Sequence, residues 1–123
     1  MKKRTLILLL FFSAACWGEW TKVAESDDSD FYVDYERIKH RGAFVYYWRL
    51  VDLAKLTGGD MSIISYEIAD CEIFRVKTLQ RTRYSGSMGE GESSTAPEAS
   101  SSDWRQPSAH SSLEWVLKAV CGE

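Results

Sequence analysis

The chain has 123 residues, with 15 Lys and Arg against 18 Asp and Glu and only three cysteines. This length suits one small domain. The net charge of −3 argues against a nucleic-acid-binding protein, because such proteins neutralise phosphates with a surplus of Lys and Arg.

Residues 1–18 have the pattern of a secretory signal peptide. Basic residues at positions 2–4 precede the apolar run Leu6–Phe12, and small residues follow at 13–15. The run is too short to span a bilayer core of ~30 Å, so we do not expect a transmembrane anchor. Cleavage after Gly18 leaves 105 residues with twelve Lys and Arg and eighteen Asp and Glu, a net charge of −6. We therefore predict a signal peptide at 1–18 and a single acidic domain at 19–123.

Cys16 offers an alternative processing route. Cleavage after Ala15 would make Cys16 the first residue, which is the position lipidated in bacterial lipoproteins. Ser13-Ala14-Ala15-Cys16 resembles a lipobox, but Ser13 stands where Leu is usual. We favour simple cleavage after Gly18, which discards Cys16. A lipid on Cys16 would be the protein's sole attachment to a membrane.

Cys71 and Cys121 are the cysteines that remain after cleavage at Gly18. Export places them in an oxidising compartment, either the periplasm or the cell surface, where two lone cysteines are expected to pair. Cys71 follows a strand-like run, and Cys121 ends a helix-like run. We therefore predict a disulfide that fastens the last element to the body of the domain.

The middle of the chain reads as consecutive strands with short links, which indicates an antiparallel sheet. Residues 39–42 have the composition of a tight reversal, and a bulge or a turn is expected to begin near Asp70. Ala43–Leu53 is apolar on both faces, which is typical of a covered central strand. Tyr46 and Trp48 share one face and Tyr47 lies on the other, so these aromatic residues are candidates for core or for a homodimer contact. The strands are predicted at Trp20–Glu25, Phe31–Tyr35, Ala43–Leu53, Met61–Asp70 and Glu72–Tyr84.

The last forty residues contain a polar segment and then a helix. Residues 86–103 are rich in Gly, Ser and Glu and predict a flexible loop, with one edge strand within Glu90–Ala96 as the alternative. Ser108, or Ser111 with Glu114, can cap the helix, and Gly122 ends it. Its apolar face consists of Leu113, Val116, Leu117, Val120 and Cys121. The fold class is therefore α+β, with five to six antiparallel strands and one C-terminal helix packed on a face and tethered by the disulfide.

Arg75, Lys77, Arg81 and Arg83 alternate along the strand predicted at 72–84. Alternate residues share a face, so the four would form a cationic stripe. We interpret the stripe as a candidate contact for anionic partners, with a solvated or aggregation-blocking edge as the alternative.

Catalytic residues are not evident in the sequence. His40 lies in a predicted turn and His110 at a helix start, and neither has a free cysteine to activate once Cys71 and Cys121 are bridged. No metal-ligand spacing is present. We predict a protein that is not an enzyme and that uses no cofactor or metal.

Seven short segments spread over the chain form a pattern by their order and spacing. In chain order they are Glu19–Val23, Phe31–Asp34, Val45–Trp48, Glu67–Cys71, Tyr84–Gly86 with Gly89 and Gly91, Trp104 with Pro107 and Ser108, and Val120–Cys121. Basic Arg75 follows the segment that contains Cys71. Together these segments resemble the surface-adhesin protein E family of Gram-negative bacteria.

The resemblance implies an antiparallel sheet with a C-terminal helix held on one face by a disulfide. It also implies dimeric surface proteins that bind host matrix and plasma proteins. The expected partners are therefore proteins or anionic polymers, with a homodimer as a further expectation. The alternative function is a periplasmic accessory or ligand-binding protein. The Ser-rich segment Gly86–Asp103 departs from the family pattern, because it lacks an apolar strand.

Overall fold

The computed structural model describes residues 19–57, 59–97 and 103–122. The predicted signal peptide, with Cys16, lies outside the described residues. No helix within the described ranges is both long enough and apolar enough to cross a membrane.

One antiparallel sheet forms the body of the protein, with strand order β1-β2-β4-β5-β6-β7. The three-residue β3 pairs with the start of β4, on the same edge that β2 occupies further along. The expected antiparallel sheet is confirmed, with one short strand more than predicted. The strands are β1 Thr21–Glu25, β2 Ser29–Val33, β3 Lys39–Arg41, β4 Phe44–Thr57, β5 Asp60–Asp70, β6 Arg75–Tyr84 and β7 Ser93–Pro97.

The sheet has its core on one face, under the C-terminal helix α1, Ser112–Cys121. The side chains of Val45 and Tyr47 in β4 are buried there against Val116, Leu117 and Val120 of α1. Burying an aliphatic side chain of this size contributes roughly 2 kcal/mol. The helix face of the sheet is thus the one that carries Tyr47, and Tyr46 and Trp48 lie on the opposite face.

The helix begins where the sequence predicts a capping box. The Ser111 side chain accepts a hydrogen bond from the Glu114 amide at 3.2 Å, and the Glu114 carboxylate accepts one from the His110 amide at 2.9 Å. Gly122 ends the helix with a left-handed φ of 81°. Ser111 is therefore the cap, and the Ser108 alternative is wrong.

The Cys71–Cys121 disulfide is present, with Cα atoms 5.7 Å apart. Cys71 lies in the turn that follows β5. The Asp70 carboxylate accepts hydrogen bonds there from the amides of Glu72 and Ile73 at 3.2 and 3.3 Å. The predicted turn near Asp70 is confirmed, and the bond joins the end of α1 to it.

Two predicted boundaries near the N-terminus are wrong. β2 ends at Val33 because buried Asp34 caps a one-turn 3-10 helix, Tyr35–Arg37, by accepting a hydrogen bond from the Glu36 amide at 3.0 Å. The reversal predicted at 39–42 is confined to Gly42 and Ala43, since Lys39–Arg41 form β3 opposite the start of β4. Gly42 supplies the positive φ of 62° that this tight turn requires.

The flexible loop predicted over 86–103 is wrong for residues 86–97. Ser87–Gly89 form a 3-10 turn, and β7 pairs with the second half of β6. The edge strand kept as the alternative is thus confirmed in part, at Ser93–Pro97. Residues 98–102 lie outside the described residues. Further on, Arg105 makes an isolated antiparallel bridge with Val76, which covers the first half of the β6 edge.

The outermost strands are short. β1 pairs with β2 through an irregularity between Lys22 and Ala24, which is a β-bulge. β7 has five residues and ends at Pro97.

Candidate binding surface

The face of the sheet opposite α1 carries a cluster of aromatic side chains. Trp48 of β4 and Tyr66 of β5 are direct cross-strand partners, with ring centroids 4.7 Å apart. Tyr46 lies beside Tyr66 at 6.2 Å, and Phe44 continues the row towards the start of β4. Phe44 is 38% exposed, and the other three rings are partly exposed. We call this surface the open aromatic face. It consists of the rings of Phe44, Tyr46, Trp48 and Tyr66 and the cations Arg37, Lys39, Arg41, Arg75 and Lys77.

The turn Ser87–Gly89 covers the far end of the same face and sets the limit of the open aromatic face. Gly89 lies directly over Leu50 and Ile64, with a φ of 77°, and a Cβ there would lie 2.8 Å from Ile64 Cδ1. The Gly89 amide donates to Ser62 Oγ at 2.8 Å. Leu50 is consequently fully buried, whereas the aromatic rings near the start of β4 stay partly exposed.

Arg37 lies over one side of the aromatic cluster. Its guanidinium is 5.3 Å from the Trp48 ring centroid and 6.0 Å from that of Trp20. The buried Asp34 carboxylate holds it through an Nε–Oδ2 contact of 2.7 Å. The same carboxylate caps the turn Tyr35–Arg37, so local backbone structure fixes this cation.

Trp104 completes the other side of the surface. Its ring stacks on Phe44 at 6.1 Å, and the Arg75 guanidinium lies 4.4 Å from the Trp104 centroid. Arg75 also contacts the Asp70 carboxylate, Nε to Oδ2, at 3.1 Å. The Lys77 ammonium is 5.9 Å from the same ring. The Arg105–Val76 bridge positions Trp104, since it ties the adjacent residue to β6.

A pocket of about 430 Å³ opens beside Trp48. Its walls combine two aromatic rings with two cations and one carboxylate; they are Glu36, Arg37, Ile38, Lys39, Trp48 and Tyr66. A smaller pocket of about 100 Å³ lies at the turn between β1 and β2, and Asp27, Asp30 and Asp52 line it. The larger pocket is continuous with the aromatic cluster and has the mixed lining of ligand sites.

The predicted cationic stripe does not lie on one face. The pairing between β5 and β6 changes register in the middle of the strands. Tyr66 lies opposite Gln80 and the next residue, Glu67, lies opposite Thr78, so Leu79 is an extra residue in β6. A bulge of this kind reverses the alternation of side chains beyond it. Arg75 and Lys77 therefore belong to the open aromatic face, and Arg81 and Arg83 point to the helix side. Arg83 is paired there with Asp60 at 3.5 Å.

A buried polar cluster lies on the helix side. The Glu67 carboxylate is fully buried and accepts hydrogen bonds from Tyr47 Oη at 2.8 Å and Thr78 Oγ1 at 3.0 Å. Arg49 Nη2 contacts it at 2.9 Å, and Arg105 Nη2 lies 3.9 Å away. Burial and, to a lesser extent, the Glu67 charge raise the pKa of Tyr47 well above its usual 10.0. The Glu67 carboxylate is therefore a buried structural group and not part of the exposed surface.

The two histidines are separate from both clusters. His40 is exposed on β3, and His110 is exposed at the start of α1, where only its amide has a described bond. Among residues 19–57, 59–97 and 103–122, no three His, Cys, Asp or Glu side chains are grouped as metal ligands.

Five residues of this surface are not among those that the sequence singles out for it: Arg37, Lys39, Arg41, Tyr66 and Trp104. Tyr66 carries a usable signal, because it alternates with Ile64 and Ile68 and so must share a face with them. Trp104 is a lone aromatic residue in a polar segment. Nothing in the local sequence indicates that it returns to stack on Phe44.

The fold and this surface together define a binding module, with a disulfide-tethered helix on one face of the sheet and exposed rings and cations on the other. The chain belongs to the surface-adhesin protein E family, whose model matches residues 20–122. The family resemblance, the fold class and the disulfide predicted from the sequence are confirmed.

Solved structures of Haemophilus influenzae protein E have the same fold. Crystal form II of that protein has a TM-score of 0.69 at 17% identity, covering 84% of this chain and 87% of that one. A second structure of it gives 0.67 at 17% identity, covering 84% and 83%. Protein E from non-typeable Haemophilus influenzae gives 0.60 at 18% identity, covering 85% and 84%. No curated protein sequence matches this chain.

Proposed function

We propose that residues 19–123 form an exported binding module that adheres to extracellular partners through the open aromatic face. The observation that carries the proposal is the partly exposed row of Phe44, Tyr46, Trp48 and Tyr66 with cations fixed over it. Aromatic and arginine side chains are enriched where proteins bind partners. Membership of a surface-adhesin family supports the same role.

The module acts by binding and not by catalysis. The buried carboxylate Glu67 is occupied by structural hydrogen bonds, and His40 and His110 are exposed and lie on separate elements. The open aromatic face itself carries rings and cations, which suit recognition rather than acid–base chemistry. Its partners are host proteins or anionic polymers.

Export proceeds by removal of residues 1–18, and the mature module is displayed at the cell surface. The disulfide supports an oxidising compartment. Intact-mass measurement of the mature protein tests the processing step: a chain that begins at Glu19 is expected, and a diacylglyceryl adduct on Cys16 contradicts it. Immunolabelling of intact cells tests display. Signal only after permeabilisation would favour the alternative, a periplasmic accessory or ligand-binding protein.

Adhesion is tested with one substitution on each face. Trp48→Ala removes a central ring from the open aromatic face. Trp115→Ala removes a ring of the same type that is 51% exposed on α1, on the other side of the molecule. We expect Trp48→Ala alone to reduce adhesion of the purified domain to cultured cells and their extracellular matrix by about tenfold or more, as central aromatic contacts do. Equal adhesion by the two variants contradicts the proposed surface.

A second copy of the chain is an alternative occupant of the open aromatic face, through Tyr46 and Trp48. Tyr47 takes no part, because it is buried under α1. Sedimentation at tens of micromolar, with Trp48→Ala beside Trp115→Ala, tests this homodimer: only Trp48→Ala should dissociate it. A strict monomer at that concentration removes the dimer and leaves the face to other partners.

A further inference from the structure

Three cations of the open aromatic face form no ion pair with a carboxylate of the described residues. In the part of the chain that the structure describes, Arg37 pairs with Asp34 and Arg75 with Asp70. Lys39, Arg41 and Lys77 form no ion pair with any described residue. The mature chain is acidic as a whole, so these cations are a local surplus of positive charge that no described carboxylate neutralises.

The strand register sets the spacing of these cations. Lys39 lies opposite Tyr46, Tyr46 opposite Ile68, and Ile68 opposite Lys77, in one row across four strands. Three inter-strand steps put the backbones of Lys39 and Lys77 about 14 Å apart. Arg41 begins the neighbouring row, opposite Phe44. Positive charge thus lies at both ends of a row with an aromatic and aliphatic middle.

The aromatic rings hold two of these cations in place. Arg41 lies 5.9 Å from the Tyr46 centroid and Lys77 5.9 Å from that of Trp104. A guanidinium that contacts a ring through its flat face keeps the N–H groups at its edge for a ligand. The surface is therefore partly preorganised for anions, which lowers the entropy lost on binding.

The chemistry of the face favours a sugar chain over a peptide or a nucleic acid. Backbone N–H and C=O groups in the middle of a sheet already pair with neighbouring strands, so a peptide crossing the face would lose water from its own backbone without gaining partners. Nucleobases stack on whole, uncovered ring faces, whereas Trp104 is contacted by Phe44 and Arg75, and Tyr46 by Arg41. A pyranose chain offers C–H groups for the exposed part of the Tyr46 ring and acidic groups at its edges for the cations.

We propose that Lys39, Arg41 and Lys77 bind an extracellular sulfated polysaccharide, whose chain crosses strands β3 to β6 over Tyr46. The inference rests on the proposed function, since it assigns the ligand class of the same open aromatic face. Arginine and lysine contact the sulfate groups, and the exposed part of the Tyr46 ring between them contacts a sugar ring.

Heparin is the probe, with affinity measured on immobilised heparin at low ionic strength and then with added salt. Arg41→Ala/Lys77→Ala removes two of the proposed contacts. Arg83→Ala/Lys118→Ala is the matched control, because it changes net charge equally on the helix side, where Lys118 lies 5.1 Å from the Trp115 ring. We expect the first variant to bind heparin about tenfold more weakly or worse, and the control to stay within about twofold of wild type. Equal losses in the two variants overturn the site.

Competitors identify the ligand class. Fully desulfated heparin and a neutral dextran should fail to displace heparin. Displacement by polyglutamate or by single-stranded oligothymidylate as effective as that by heparin itself overturns the polysaccharide assignment. A dimer that Arg41→Ala/Lys77→Ala dissociates also overturns it, because a second copy would then occupy the face.

Failure of this inference is distinguishable from failure of the proposed function. If wild type shows no salt-sensitive retention on heparin but adhesion still depends on Trp48, the polysaccharide proposal is wrong and the adhesive face stands. If adhesion is independent of Trp48 as well, both are wrong.

Discussion

The bond between Cys71 and Cys121 ties α1 to the sheet, and its removal tests how far the fold depends on that tether. The two residues are 50 positions apart. The chain-entropy model gives about 4 kcal/mol for closing a loop of this size in the unfolded chain. A domain of about this length has a stability of ~5–15 kcal/mol, so the bond supplies a large share. The ten-residue helix is too short to persist alone, and only three of its side chains are fully packed in the core.

Cys71→Ala, Cys121→Ala and the double variant are the perturbations. Each single variant should lose about 4 kcal/mol of unfolding free energy and should melt roughly 15–30 °C below wild type. The double variant should lose about the same as either single variant, because all three remove the same bond. Urea denaturation and thermal melting, followed by circular dichroism with and without reductant, measure these differences.

Two results would refute the reasoning. A double variant that loses twice as much as each single variant would mean that the cysteines act through separate packing contacts rather than one bond. A wild type whose melting temperature is unchanged by full reduction would mean that the tether contributes nothing. The double variant serves as the control, since reductant should leave its melting unchanged.

Three further outcomes are expected. Gly89→Ala should lower the unfolding free energy in urea by about 1–3 kcal/mol, because φ is positive there and the added Cβ would lie 2.8 Å from Ile64 Cδ1. Gly42→Ala should lower it less, because φ is positive but no atom lies within 4 Å of the added Cβ. Equal losses in the two variants would show that only φ matters. Ser111→Ala should lose about 1 kcal/mol through the missing helix cap, and an unchanged urea midpoint contradicts this. The folded-state pKa of Tyr47 is raised, so its contribution to stability is complete below about pH 10 and declines as the pH rises further. Tyr47→Phe should lack that decline in urea titrations between pH 9 and 11, and an identical slope in both proteins rules out Tyr47 as its source.

The fold follows from local sequence signals more than from any single motif. Ala43–Leu53 is apolar on both faces, which places it centrally, and the Ser111 and Glu114 pair marks the helix start. The sequence of β4 alone does not show which of its faces packs against the helix, because both are apolar. The neighbouring strands decide it. On the Tyr47 side they contribute Val33, Ala69 and Val76, small apolar residues that can pack under a helix.

The wrong predictions for β7 and for the cationic stripe have a common physical cause. Sequence composition and alternation report which side chains are buried, but they do not report how the backbones of two strands pair. Ser93, Ser94 and Thr95 are exposed, yet β7 forms because its backbone pairs with β6. The stripe of Arg75, Lys77, Arg81 and Arg83 divides because the extra residue Leu79 reverses the alternation halfway. No local pattern in β6 marks that position, so the open aromatic face requires the three-dimensional register.

The two outermost strands of the sheet bear on whether copies of this protein can pair with one another. Exposed strand borders recruit further chains and seed fibrils. On one flank, the β-bulge between Lys22 and Ala24 distorts the outer strand β1, and Lys22 and Glu25 put charge on that strand. On the other flank, β7 is five residues long and stops at Pro97, which has no amide hydrogen to offer an incoming chain. These features make edge-to-edge pairing between two copies of the sheet unfavourable.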